Sequence, residues 1–210
     1  MNVQFAVIRV FSVPSAPPPR FDAKCPECGS LERHRLFLLL DRENNLLDEI
    51  SSILHFAPEP IIEKYLRHKV ASYTSADLYK SGVDRKEDIE DISLPGASVD
   101  AVFCSHVLEH VNDIRALREI HRILKPGGRL IAMVPICEGW DKTYEDPDIV
   151  SPAGRELHFG QNDHVRYYGR DFQQRLADAG FETAAYTAPP VDVIRYGLWR
   201  GEKVFVGSRV

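Results

Sequence analysis

The chain has 210 residues, 44% of them hydrophobic and 27% charged, with 13 glycines and 14 prolines. That composition excludes a disordered chain, a collagen-like repeat and a coiled coil, and the length fits one domain plus an extension. The formal net charge of −5 argues against a protein held on nucleic acid by bulk charge, although a local basic groove stays open.

Residues 1–24 read as a strand-like apolar scrap followed by a Pro-rich linker, SAPPPR, expected to lie extended. The start lacks a basic n-region and no run approaches 18 apolar residues, so neither a signal peptide nor membrane insertion is expected. Cys25 and Cys28 follow in CPECGS. Four cysteines without a disulfide framework predict reduced thiols and a cytoplasmic protein. The C-x-x-C pair is half a zinc knuckle, with His34 as a third candidate ligand; a turn with two free thiols is the alternative. Cys104 and Cys137 read as small buried hydrophobes. Ser30 is placed to cap a helix running to about residue 50, with Leu36, Leu39, Leu40, Leu46 and Leu47 along one face.

From residue 52 strands and helices alternate. Strands are expected at 53–57, 71–75, 83–86, 99–105 and 129–134, and helices at 59–68 and 106–124. The second helix would bury Leu108, Ile114, Leu117, Ile120, Ile123 and Leu124 and stop at Lys125-Pro-Gly-Gly. Near-continuous apolar strands alternating with helices predict a parallel α/β sheet. Residues 136–169 interrupt the rhythm with a long polar and aromatic segment, a lid or binding insert by its length. A helix over 171–179 and two strands, at 181–186 and 203–206, complete the chain.

Parallel sheets bind ligands at the carboxyl ends of their strands, where the strand order reverses. The first such crevice follows residues 53–57 and reads His55-Phe-Ala-Pro-Glu-Pro60. It has no G-x-G-x-x-G, and no G-x-x-x-x-G-K-[ST] occurs in the chain, which argues against a dinucleotide and against ATP. Asp77 nevertheless ends the second strand, where a carboxylate can accept both hydroxyls of a ribose. A ribose anchor without a phosphate cradle suits a nucleoside cofactor such as S-adenosylmethionine.

The run EDIEDISLPGASVDAVFCSHVLEHVNDIRALREIHRILKPGGRLIAMVPI resembles the class I S-adenosylmethionine-dependent methyltransferases of the type 11 group. CPECGSLERHR, HFAPEP and NDHVRYYGRDF resemble a bacterial subgroup of it, with a degenerate first motif: FAPEP stands where the family usually carries G-x-G-x-G. The resemblance implies a Rossmann-like, doubly wound seven-stranded sheet ending in an antiparallel strand hairpin. It implies a domain over residues 51–210, preceded by linker, C-x-x-C turn and helix over 1–50, with 136–169 on the acceptor side. It implies that Phe56, Ala57, Pro58 and Glu59 line the methionine and ribose, that Asp77 holds the ribose hydroxyls and that Leu78 covers the adenine. Asp88 would accept from the adenine amino group, Ile89 would pack on the ring, and Ser105 and His106 would face the sulfonium.

Asp77 and Asp88 are also ordinary strand-end turn residues, and Glu59 an ordinary first-turn acid. In HVLEH, residues His106, Glu109 and His110 fall at i, i+3 and i+4, one face of a helix, and His164 in the insert is a further candidate. Glu109, His110 and His164 suit a divalent metal; His106, His110 or His164 suit a general base; a capping and packing cluster is the alternative. Tyr144, Glu145, Arg166 and Tyr167 are acceptor-side candidates. The expected activity is methyl transfer to an oxygen or nitrogen nucleophile, most simply of a small-molecule metabolite. A cofactor-binding protein without catalysis is the alternative that the absent glycines motivate.

Overall fold

The computed structural model describes residues 23–210; the apolar scrap and Pro-rich linker expected before them lie outside the described residues. Two compact units are present. One contains residues 23–48 and Tyr186–Val204, the other Glu49–Ala185 and Phe205–Val210.

In the first unit, α1 (Glu32–Asn44) is followed by a turn and buries Leu36, Phe37, Leu39 and Leu40, with Leu46 and Leu47 beyond its end. The expected apolar stripe is therefore all buried. The cap is Leu31 rather than Ser30: the Leu31 N–H donates to His34 Nδ1 at 3.1 Å, while Ser30 Oγ takes the Cys28 thiol at 3.2 Å. Asp41 is buried where the chain turns back and accepts from Leu47 N–H at 2.8 Å. The loop expected between the last two strands contains a short helix, Pro190–Tyr196. Arg35 donates to the Tyr196 carbonyl at its end, at 2.8 Å.

The second unit is built on β1 (Ser52–Phe56), α2 (Pro60–Lys69), β2 (Ser72–Ala76), β3 (Val99–Ser105), α3 (Asp113–Ile123) and β4 (Leu124–Met133). β5 (Tyr144–Glu145), α4 (Pro152–Phe159), β6 (Arg166–Tyr167), α5 (Phe172–Asp178), β7 (Phe181–Tyr186) and β8 (Val204–Arg209) follow. The main sheet has the order β2-β1-β3-β4-β8-β7. β1 pairs in parallel with β2 and β3, β3 in parallel with β4, and β8 runs antiparallel to β4. Both faces of the central strands β1 and β3 are covered, which is why their sequences read as apolar runs, whereas the edge strand β2 is partly exposed. The core joins Leu54, Val102, Leu117, Ile120, Leu130 and Phe172 among others.

The main sheet has six strands, not seven. The strand expected at 83–86 makes one isolated parallel bridge, Ala76–Arg85. Asp84, Arg85 and Lys86 are exposed, so this segment has no apolar face to bury and no reason to extend along the sheet. Asp84 pins it instead, accepting from Ser75 N–H at 2.8 Å and Ser75 Oγ at 2.7 Å. A separate two-stranded antiparallel ribbon, β5 with β6, forms inside the insert.

The helix expected over 106–124 is also different. A single 3-10 turn, Leu108–His110, precedes α3, which begins only after Asn112. The Asn112 side chain accepts from Arg115 N–H at 3.1 Å, a local cap that starts the helix here. With the start moved, Ala116, Leu117, Ile120 and Ile123 make the buried face and Ile114 is half exposed. α3 passes directly into β4 through Lys125-Pro-Gly-Gly. Gly127 sits at φ 78°, and a Cβ on Gly128 would lie 2.7 Å from the Lys125 carbonyl oxygen. Both glycines are thus required by the turn.

Candidate active site

The strand order reverses between β1 and β3, and the carboxyl ends of these two strands define the crevice. Among the described residues, two of the five non-glycine residues in the left-handed region stand there. Ala57 follows β1 at φ 49°, and His106 follows β3 at φ 55°. Such conformations cost about 1–2 kcal/mol for an L-residue and persist where the surroundings enforce them, often at functional sites. Ala57 N–H is held by the Ala76 carbonyl at 3.0 Å, and His106 N–H by the Met133 carbonyl at 2.8 Å. Each strand end is therefore turned sharply by a bond to its neighbour.

Around Ala57, Phe56 and Pro58 are buried and Glu59 caps α2. Asp77, at the end of β2, accepts from the N–H groups of Tyr79 and Lys80 through one oxygen, both at 2.7 Å. This turn fixes the carboxylate. Leu78 beside it is 43% exposed. Lys80, not singled out from sequence, extends back to the Pro58 carbonyl at 2.5 Å and so ties the turn after β2 to the turn after β1. A lone lysine in a polar stretch carries no sequence signal of such a tie. Asp88 also forms a local turn, accepting from Glu90 N–H at 2.9 Å, while Ile89 is buried in the core.

At the end of β3, Ser105 is buried with its hydroxyl unpartnered. Glu109 is fully buried, and neither carboxylate oxygen has a hydrogen-bond partner. Orphaned buried polar atoms are uncommon, and two such side chains four residues apart mark this strand end. His106 Nδ1 lies 3.2 Å from Glu109 Oε1. His106, Glu109 and His110 do not share an α-helical face, because the chain here is a left-handed residue and a 3-10 turn. The tighter winding nevertheless brings His106 to Glu109, while Glu109 groups with His110 and His164.

The insert supplies His164. Val165 N–H bonds the Glu109 carbonyl at 2.9 Å, and Arg166 donates to the Leu108 carbonyl at 2.7 Å. Tyr168 Oη lies 3.0 Å from both the Leu108 carbonyl and Asp113. These bonds lay the insert over the 3-10 turn. His164 is buried, its Nδ1 donating to the Phe159 carbonyl at 3.1 Å, and its ring meets that of His110 edge to face at 4.6 Å. Burial lowers its pKa below the ordinary imidazole value and His110 adds to this, while Glu109 opposes it. His110 Nδ1 stands 3.2 Å from Asp163. Asp163 was invisible from sequence, since an exposed loop acid is common.

Of the acceptor-side candidates, Arg166 and Glu145 are engaged with each other at 2.9 Å and with Arg175 and Asp113, an ion network that fastens the ribbon. Tyr144 Oη bonds His158 at 2.7 Å, and Tyr167 faces Trp140 edge to face at 6.1 Å. Among the described residues, Cys25, Cys28 and His34 do not form a three-ligand cluster, whereas Glu109, His110 and His164 do. Cys104 is buried in β3, and burial raises its thiol pKa; Cys137 is half-buried.

Residues 62–132, from α2 through β4, match the family model described as a methyltransferase domain. The ubiquinone/menaquinone biosynthesis C-methyltransferase UbiE of Escherichia coli is 31% identical over 128 residues, covering 54% of this chain and 50% of that protein. The chain thus spans about half the length of the curated relatives it matches. Among solved structures, the 1,6-didemethyltoxoflavin-N1-methyltransferase of Burkholderia thailandensis aligns with a TM-score of 0.59 at 15% identity, over 85% of this chain and 79% of that one. That protein was solved with 1,6-didemethyltoxoflavin and S-adenosylhomocysteine bound. A SAM-dependent methyltransferase of Archaeoglobus fulgidus aligns with a TM-score of 0.54 at 12% identity, over 82% and 92% of the two chains. The fold is therefore the Rossmann-like α/β fold of these enzymes, and a fold alone does not name a reaction.

Proposed function

We propose that the chain is an S-adenosylmethionine-dependent methyltransferase acting on an oxygen or nitrogen nucleophile of a small molecule. The observation that carries this reading is the left-handed turn at Ala57, at the carboxyl end of β1 and beside the strand-order reversal. The smallest chiral side chain occupies a position where the backbone must come close to a ligand. The family-model match over residues 62–132 supports it, and the lack of a phosphate-binding glycine loop argues against a dinucleotide in the same place.

The donor set fits this cofactor. Asp77 has one oxygen fixed by its own turn, so the other is presented to ribose hydroxyls. Leu78 covers the adenine, Asp88 accepts from its amino group and Ile89 backs the ring. Phe56, Ala57, Pro58 and Glu59 line the methionine end. Ser105 and His106 close the crevice beside the sulfonium. When bound, the cofactor supplies an electrophilic methyl for in-line displacement. The protein's part is to align the acceptor with that methyl and to exclude water, which is worth several powers of ten in rate. His106, held beside Glu109, takes the acceptor's proton. The insert, laid over the same strand end, bounds the acceptor.

Calorimetric titration of the full chain with S-adenosylmethionine tests this. Wild type is expected to bind, and Asp77→Asn to weaken binding about tenfold or more, the worth of one charge-assisted hydrogen bond. No binding at millimolar cofactor would sink the proposal. Binding without turnover on any oxygen or nitrogen acceptor would leave a cofactor-binding protein.

A further inference from the structure

We propose that Glu109, His110 and His164 form a site for a divalent first-row transition ion at the carboxyl end of β3. One candidate ligand atom from each lies within 4.8 Å of the others. Glu109 gives the strongest reason. Its carboxylate is fully buried, and neither oxygen accepts a hydrogen bond. A buried carboxylate in that condition is costly unless a cation completes it. His106 Nδ1 approaches one oxygen at 3.2 Å but is a cation only when protonated, and the second oxygen has no such neighbour.

The partners of the two imidazoles leave one nitrogen of each ring for ligation. His164 Nδ1 faces the Phe159 carbonyl, which can only accept, so the proton is on Nδ1 and the lone pair on Nε2. His110 Nδ1 faces the Asp163 carboxylate at 3.2 Å, which favours the same tautomer. An outer oxygen on Nδ1 and a bare Nε2 is the usual state of a metal-bound histidine. Two nitrogens and one carboxylate suit zinc, manganese, iron(II) or cobalt(II) rather than calcium or magnesium. Three protein ligands also leave a position for an oxygen of the acceptor, whose proton the ion would loosen. That last role rests on the methyl-transfer reading; metal binding does not.

The test uses the full chain stripped by chelation and titrated with zinc against a chromophoric competitor, with no cofactor present. Wild type and the Cys25→Ser/Cys28→Ser double variant are expected to bind one equivalent at this site. Glu109→Gln and His164→Ala are expected to lose about tenfold or more in affinity. Cobalt(II) on the double variant should give visible ligand-field bands that Glu109→Gln lacks. Thermal unfolding guards against misfolding: without metal, Glu109→Gln should melt no lower than wild type, yet lose the rise that zinc produces. Zinc binding unchanged in both site variants, binding lost in the cysteine variant, or no binding to wild type each overturns the proposal. A chain that binds zinc but not S-adenosylmethionine retires the methyl-transfer reading and keeps this site, and the converse result does the reverse.

Discussion

At the scale of single residues, the crevice is marked by backbone conformation more than by side-chain type. Ala57 at φ 49° takes a turn that glycine would take without strain. Ala57→Gly should therefore stabilise the protein by about 0.5–1 kcal/mol, the left-handed cost relieved less the extra entropy of glycine in the unfolded chain. Urea denaturation measures it; a loss of stability would mean that the alanine methyl makes contacts worth more than the strain. The sequence could show that the glycines were missing after β1 but not that Ala57 had adopted their conformation, because φ is set by the bond from Ala57 N–H to β2. The same limit hid His106. Its role as a strand terminus was legible, whereas its departure from a helix depended on Asn112 capping α3 six residues later.

At the scale of elements, two segments are held by carboxylates. Asp84 pins the 83–86 segment to β2, and the N–H and hydroxyl of Ser75 hold its carboxyl below the usual carboxylate range, with Arg67 adding to this. A carboxylate with a lowered folded pKa stabilises the protein above its unfolded pKa, near 4. That contribution is lost as pH falls through the folded value. Denaturation from pH 6 to pH 3 should accordingly show a shallower acid loss for Asp84→Asn than for wild type; identical slopes would remove Asp84 from the acid limb. The insert depends on a more buried group. Asp113 is 1% exposed and receives Arg175 at 2.8 Å, with Arg166 at 3.5 Å. Asp113→Asn takes the buried charge from a network in which Arg166 and Arg175 then keep only the more exposed Glu145, and should cost about 3 kcal/mol. The exposed Arg170–Asp141 pair is the control, and Asp141→Asn should leave the denaturation midpoint unchanged. Equal effects would mean that the buried network carries no special weight. Neither carboxylate stood out in sequence, since a structural acid and a binding acid look alike until their partners are placed. Apolar periodicity, by contrast, located β1, β3 and the buried face of α3 within a few residues, because core burial is what periodicity records. The strand expected at 83–86 failed for the same reason: three charged residues have no core to face.

At the scale of the whole molecule, ligand choice follows from how the sheet ends are built. A dinucleotide needs backbone N–H groups gathered around a pyrophosphate. Here α2 begins with Pro60, which has no N–H to give, and the Pro58 carbonyl is taken by Lys80. A nucleoside with a sulfonium asks for none of those donors and needs only the ribose carboxylate and an apolar cover. The two ligands should consequently part in a thermal unfolding experiment. S-adenosylhomocysteine at one hundred times its dissociation constant should stabilise the folded chain by about 2.7 kcal/mol. For a chain of this length that corresponds to a rise of roughly 5–10 °C in Tm. NADH at the same concentration should give no rise. Asp77→Ala should abolish most of the first shift and leave the unliganded Tm within a few degrees of wild type, since its carboxylate bonds only its own exposed turn. A rise with NADH equal to that with S-adenosylhomocysteine would contradict the argument from Pro60 and Lys80. A shift that survives Asp77→Ala would place the ribose elsewhere along the carboxyl edge of the sheet.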